Sequence, residues 1–267
     1  MEAPSFRMAT TKPGWCLPIF YRMPDCWGMR FPGSRGGWVL GALLSLAIVV
    51  ARGDAQGLGA AVRSQDKAPA TQSAPTTQRP TSTPYSGDLS IFEYPDRDKK
   101  LQIDRVMDLL GITVGKNVGD IGAGSGWFTV IAARRVGPTG AVLAQDINPL
   151  AIEHIGKRVL KEDLSNVRTV LGSPDDPRLP TGSVDAVLML KVYHEIAHPA
   201  AFLRALKPAL RAGAKVGIID RNGNGADHGL NHDVVVKEMG EAGFKLVGTY
   251  DFVKPDKEDY FLIFEVK

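Results

Sequence analysis

Cysteine is all but missing. The 267-residue chain has two, Cys16 and Cys26, and none beyond position 26. Everything after that point therefore lacks a disulfide framework, a thiolate nucleophile and a cysteine metal site. An excess of basic charge is missing from the same region. Residues 1–87 hold nine Lys and Arg against four Asp and Glu, whereas residues 88–267 hold 23 against 25, so the formal net charge of +3 comes from the beginning of the chain. A nearly neutral body offers no basic face to neutralise phosphates, and no nucleic-acid partner is expected. A hydrophobic run long enough to span a bilayer is also wanting. The longest, Trp38 to Ala51, has 14 residues, against the roughly 20 that a spanning helix needs.

What is present divides into three parts. Residues 1–56 read as a targeting region, with the uncharged stretch 38–51 bracketed by Arg30 and Arg35 before it and Arg52 after it. That is the pattern of a signal-peptide hydrophobic region, with Met29 as an alternative start and a cleavage point after Ala55. Left uncleaved, the stretch 38–51 is the one route to membrane association. In either case the body is expected to be exported or anchored on the periplasmic side, a cytoplasmic location being the alternative. Residues 57–87 are rich in Pro, Ser, Thr and Gln with few large apolar groups, and they read as a disordered linker. Residues 88–267 form the domain.

Within the domain, apolar strand runs alternate with helical periodicity. Strands are expected at Lys116–Ile121, Ala141–Asp146, Val167–Gly172, Val184–Leu190 and Lys215–Asp220. Helices are expected over 95–110, 127–135, 149–161, 199–210 and 232–242. Two further strands, 245–253 and 260–266, flank Lys254-Pro255-Asp256-Lys257 as a closing hairpin. The alternation predicts an α/β fold: a doubly wound, mostly parallel seven-stranded sheet with helices on both faces and a C-terminal antiparallel hairpin.

In such a sheet, ligands bind beyond the carboxyl ends of the strands. The first strand runs into Gly122-Ala123-Gly124-Ser125-Gly126 and then a helix from Trp127. Glycines at alternate positions let a ligand touch backbone, and the helix start turns free N–H groups and a positive dipole end toward it. Asp146 closes the second strand, where a carboxylate can accept hydrogen bonds from ribose hydroxyls. Asp120 lies inside the first strand, and burying a carboxylate there is costly unless it holds amides or a cationic group.

These residues resemble a family. Val118 to Gly126 looks like motif I of the class I S-adenosylmethionine-dependent methyltransferases, and Asp146 matches their acidic ribose-binding position. Leu179 to Val187 is similar to the stretch leading into strand four, and Leu206 to Ala214 to the helix-to-strand-five signature. The resemblance implies a Rossmann-like methyltransferase fold with S-adenosylmethionine as cofactor. Its binding residues would be Asp120 near the ammonium, Gly122, Ala123, Gly124 and Gly126 along the methionine part, Asp146 on the ribose and Ile147 on the adenine. Ser173 stands where the family often has an acidic residue near the adenine amine.

The acceptor side carries less. The Asn/Asp-Pro-Pro-aromatic run of amino-methylating nucleic-acid enzymes is missing after Leu190, and so are the cysteines of arsenite methylation. A small-molecule acceptor is left. His194 is the expected base, with Tyr193 and Glu195 shaping the pocket. Asp220 ends the fifth strand facing the same cleft. His228 and His232, in a polar loop, could close over the acceptor, but the pair lacks a third ligand and no metal is expected. Two other readings stand beside this one: a nicotinamide-dependent oxidoreductase, and a non-catalytic cofactor-binding module.

Overall fold

The structure is a computed structural model and describes residues 79–267. The targeting region 1–56, its segment 38–51 and the first part of the expected linker lie outside the described residues. Among the described residues, no helix is long and apolar enough to cross a membrane.

Seven strands form one sheet in the order β3-β2-β1-β4-β5-β7-β6. They are β1 (Asn117–Ile121), β2 (Ala141–Asp146), β3 (Val167–Leu171), β4 (Val184–Leu190), β5 (Leu210–Asp220), β6 (Phe244–Tyr250) and β7 (Tyr260–Val266). The first five pair in parallel, while β7 pairs antiparallel with β5 and β6. The helices are α1 (Arg97–Leu101), α2 (Ile103–Leu110), α3 (Trp127–Val136), α4 (Pro149–Lys161), α5 (Pro199–Leu206) and α6 (His232–Glu241).

The period-two alternation of β4 divides the core between the two faces of the sheet. Val187 and Met189 pack with Phe202, Leu203 and Leu206 of α5 and with Val235 and Met239 of α6. Ala186 and Leu188 point the other way, onto Val106 and Leu110 of α2 and Phe128 and Ala132 of α3. Burying both faces explains why the central strands are mostly apolar. At the edge, β6 alternates between exposed residues and residues that are buried or partly buried.

Three differences from the expected elements have local causes. The helix expected over 95–110 is broken at Gln102, whose left-handed backbone (φ 48°) ends α1 and starts α2. The helix after Pro199 gives way at Lys207-Pro208-Ala209 to one 3-10 turn, and β5 begins at Leu210 rather than Lys215, with a register shift against β4. Residues 79–87, expected to belong to the linker, are laid on the domain by polar ties rather than by apolar burial. Arg79 donates to Glu238 (2.8 Å) and to the carbonyls of Tyr193 (3.0 Å) and Ile196 (3.1 Å). Ser82 Oγ bridges the loop after β5, donating to Gly225 O (2.8 Å) and accepting from His228 N (2.9 Å). Composition registers apolar content, so it could not report these ties.

Candidate active site

The cleft opens where β1 and β4 meet, the point at which the strand order reverses. Gly122, Gly124 and Gly126 all have left-handed backbone (φ +66°, +54° and +75°), which favours glycine over any L side chain. A Cβ on Gly122 would overlap the side chain of Val192, so this glycine is also required by packing between the turns after β1 and β4. The turn is tied to β2 by Ala123 N donating to Gln145 O (2.9 Å). Asp146, at the end of β2, accepts from Gly124 N and Asn148 N through its two oxygens (2.9 Å each). Two backbone amides thus fix this carboxylate at the lip of the cleft. Ile147 follows it, 36 % exposed and lining the same cleft, an apolar surface without a protein cover.

Asp120 is 3 % exposed and accepts a 2.5 Å hydrogen bond from Thr129 Oγ1. Burial pushes its carboxyl up to about 7 from 3.8, and the negative charge of Asp146 adds to the effect, while the Thr129 bond opposes it. A carboxylate in this state gains from a cation brought beside it. Arg97 lines the cleft opposite in charge. Its guanidinium stacks on Trp127 (4.3 Å) and Tyr94 (5.5 Å) and donates to Phe92 O (2.6 Å). Its buried Nε has no acceptor among the described residues. Asp120 and Arg97 together offer one anion and one cation, which suits the ammonium and carboxylate of a free amino-acid end.

On the other side of the cleft, β4 ends at Leu190 and turns through Lys191 (φ 61°) into a 3-10 turn, Tyr193–Glu195. Glu195 lines the cleft. Burial pushes its carboxyl up to about 7, although the neighbouring His194 and a bond from the backbone N–H of Tyr85 act in the opposite direction. His194 stands behind Glu195, 3 % exposed, with its Nδ1 2.8–2.9 Å from both oxygens of the fully buried Asp220. This leaves Nε2 free of Asp220 and 4.0 Å from Glu195 Oε1. The ring of His228 meets that of His194 edge-on at 5.8 Å.

Residues 118–213 match the family described as a methyltransferase domain. Among relatives, the chain is 32 % identical over 113 residues to the nocamycin O-methyltransferase of Saccharothrix syringae, covering 41 % of this chain and 40 % of that one. It is 27 % identical over 115 residues to a ubiquinone/menaquinone biosynthesis C-methyltransferase of Pseudomonas putida, covering 43 % and 45 %. The chain thus spans less than half the length of these curated relatives. A crystal structure of a SAM-dependent methyltransferase from Aquifex aeolicus superposes with a TM-score of 0.61, covering 68 % of this chain and all of that one at 22 % identity. Residues 118–213 thus carry a methyltransferase domain, set in the fold of a SAM-dependent methyltransferase. S-adenosylmethionine is the cofactor of such domains, and the cleft fits it on its own terms. It offers a charge pair in Asp120 and Arg97, a glycine-rich backbone turn, a fixed carboxylate and an apolar shelf.

The structure brings most of the expected cofactor residues to one cleft. Asp120, Gly122, Ala123, Gly124, Asp146, Ile147 and Ser173 line it, and Gly126 starts α3 just beneath. Ser173 is held in a small turn, exchanging backbone hydrogen bonds with Asp176. Of the residues expected on the acceptor side, Glu195 alone is among those that line the cleft. Tyr193 lies in the core with Arg79 over its ring, so it supports the turn from behind and does not face the cleft. His232 starts α6 beside the ring of Tyr260 and is apart from His228. Arg97 was not expected in the site. On an amphipathic helix an arginine reads as a surface residue, and nothing in the sequence signals that α1 lies across the cleft.

Proposed function

We propose that this methyltransferase acts on a small-molecule acceptor held between the glycine turn and Glu195. The observation that supports it most is the placement of a chain of groups, cleft-lining Glu195 with buried His194 and Asp220 behind it, at the ends of β4 and β5. When bound, S-adenosylmethionine supplies an electrophilic methyl group on a sulfonium. Asp120 and Arg97 hold its amino-acid end and Asp146 its ribose, so that transfer depends chiefly on alignment with the acceptor. The expected base, His194, is too enclosed to meet a substrate directly. Glu195 faces the acceptor in its place, with a carboxyl raised toward neutrality that can take a proton. His194 stands behind it, and Asp220 is a positioning residue that fixes the imidazole. The names of the relatives, an O-methyltransferase and a C-methyltransferase of quinone biosynthesis, favour a small organic acceptor.

Calorimetry with S-adenosylmethionine and with NAD tests the donor. Binding of the nucleotide and not of S-adenosylmethionine overturns the reading. Release of labelled methyl groups into a panel of hydroxylated and aminated metabolites tests the acceptor class, and incorporation only into nucleic acid or protein refutes it. For the location, we infer export or anchoring on the periplasmic side through segment 38–51. A purely soluble cytoplasmic pool of full-length chain on fractionation refutes that.

A further inference from the structure

We propose that His194, Glu195 and His228 are the ligands of a divalent transition-metal ion, and that the acceptor is a hydroxylated molecule whose oxygen completes the coordination sphere. One donor atom from each residue lies within 4.8 Å of the others. A sphere with ligands at roughly 2.0–2.2 Å requires closure by only about an ångström or so. Half-buried Glu195 and exposed His228 can make that closure by side-chain rotation.

Each ligand is prepared by its surroundings. Nδ1 of His194 faces the two oxygens of Asp220. A carboxylate so placed fixes the other ring nitrogen as the ligand and raises its basicity, the usual outer-shell partner of a metal-bound histidine. His228 sits at a left-handed residue (φ 58°), with its N–H bound to Ser82 Oγ (2.9 Å) and its carbonyl to Arg221 Nε (2.8 Å). The loop backbone that aims its ring is therefore tied down at both peptide groups. The ring itself makes no hydrogen bond among the described residues. No Lys or Arg side chain forms an ion pair with Glu195 among the described residues, and the titratable group set against its carboxylate is His194 Nε2, 4.0 Å away. Glu195 and Asp220 together bring two negative charges beside two imidazoles, which a 2+ ion balances.

Imidazole nitrogens with one carboxylate favour zinc, iron, nickel or cobalt over magnesium or calcium, which prefer all-oxygen sites. Three protein ligands leave a position open, the mark of a catalytic rather than a structural site. A hydroxyl bound there is acidified. Its O–H bond breaks, the proton leaves to bulk water and the electron pair stays on oxygen, with nothing oxidised or reduced. With the ion bound, Glu195 and Nε2 of His194 serve as ligands, and this acidification replaces proton removal by Glu195. The substrate class rests on the acceptor pocket proposed above. The metal site itself does not.

The test uses the full chain stripped with a chelator. Zn²⁺ titration by calorimetry is expected to show one site, Co²⁺ to give visible absorption bands, and Mg²⁺ at the same concentration to give neither. His228→Ala, at an exposed loop position, is expected to lose at least about 100-fold in Zn²⁺ affinity, and Asp220→Asn roughly 10- to 100-fold. His228→Ala should leave S-adenosylmethionine affinity within about twofold, showing that it is folded. Equal Zn²⁺ binding by the parent and His228→Ala overturns the site. So does the absence of Zn²⁺ binding in a chain that binds S-adenosylmethionine, which leaves the methyltransferase reading intact. Zn²⁺ binding without S-adenosylmethionine binding supports the site and overturns that reading instead. Catechol, as an oxygen-donor probe, is expected to shift the Co²⁺ bands, and unchanged bands overturn the acceptor class.

Discussion

Replacing Asp120 by Asn should make the protein more stable and less able to hold its cofactor. The side chain is 3 % exposed, and its carboxyl titrates near 7 rather than 3.8. At about 1.4 kcal/mol per pH unit, the rise amounts to roughly 4 kcal/mol of destabilisation once the group is forced to ionise. The sign follows from proton linkage. From pH 3.8 to about 7 the unfolded chain has already lost this proton while the native state keeps it, so native stability falls across that window and levels off above it. The substituted amide does not titrate and still accepts from Thr129. Urea unfolding at pH 5, 6, 7 and 8 should therefore show the variant gaining on its parent by roughly 2–3 kcal/mol between pH 5 and 8. A gap that stays constant over this range refutes the claim that Asp120 is held in a desolvated, high-pKa state. Calorimetry on the same pair supplies the functional half. An ammonium placed beside Asp120 draws its pKa down, so binding near pH 6.5 should release a proton, visible as a dependence of the heat on buffer ionisation enthalpy. The variant should show no such release and a cofactor affinity lower by at least about 100-fold, the loss of a buried charge-assisted contact.

Asp146→Ala removes both the proposed ribose contact and the acceptor for Gly124 N and Asn148 N. Cofactor affinity should fall about 30- to 100-fold by calorimetry, with a loss of stability nearer ~1–2 kcal/mol. Gly122→Ala meets both left-handed strain and Val192, so thermal unfolding should show a loss of about 2–3 kcal/mol. Adding Val192→Ala should recover the part due to overlap but not the part due to φ. Arg79→Ala cuts the ties to Glu238, Tyr193 and Ile196. Residues 79–90 should then become sensitive to limited proteolysis while α4 stays protected.

Much of the scaffold was legible because the physics that forms it is local. The helix Pro149–Lys161 carries its own N-terminal signal, Asn148 accepting from Leu150 N ahead of Pro149. The strands Val184–Leu190 and Tyr260–Val266 announce themselves by apolar runs that only a strand buried on both faces requires. The donor half of the site was legible for a related reason. Gly122, Asp120 and Asp146 are fixed by one βαβ unit, and their spacing survives in the sequence. The acceptor half was not, because it is assembled from segments that share no local pattern. His228 meets His194 edge-on from a loop held by Ser82. On the donor side Arg97 was hidden in the same way, lining the cleft from α1, a short helix set off from α2 by the break at Gln102. Tyr193 illustrates the opposite error. Adjacent in sequence to His194 and Glu195, it points into the core, because the three residues of this 3-10 turn face three different directions.

The cleft draws side chains from positions 84–97, 120–128, 145–151, 173–174 and 190–202. No contiguous half of the domain contains it. A ligand bound there touches the turn after β1, the ends of β2 and β4 and the covering segment before α1, so its binding energy opposes the separation of any one of them. It therefore acts as a global brace, raising the free energy of every partial opening as well as of complete unfolding by the mass-action amount. Amide exchange in elements far from the cleft would then slow on ligand binding nearly as much as exchange in the cleft itself. For this architecture, occupancy and foldedness report on each other.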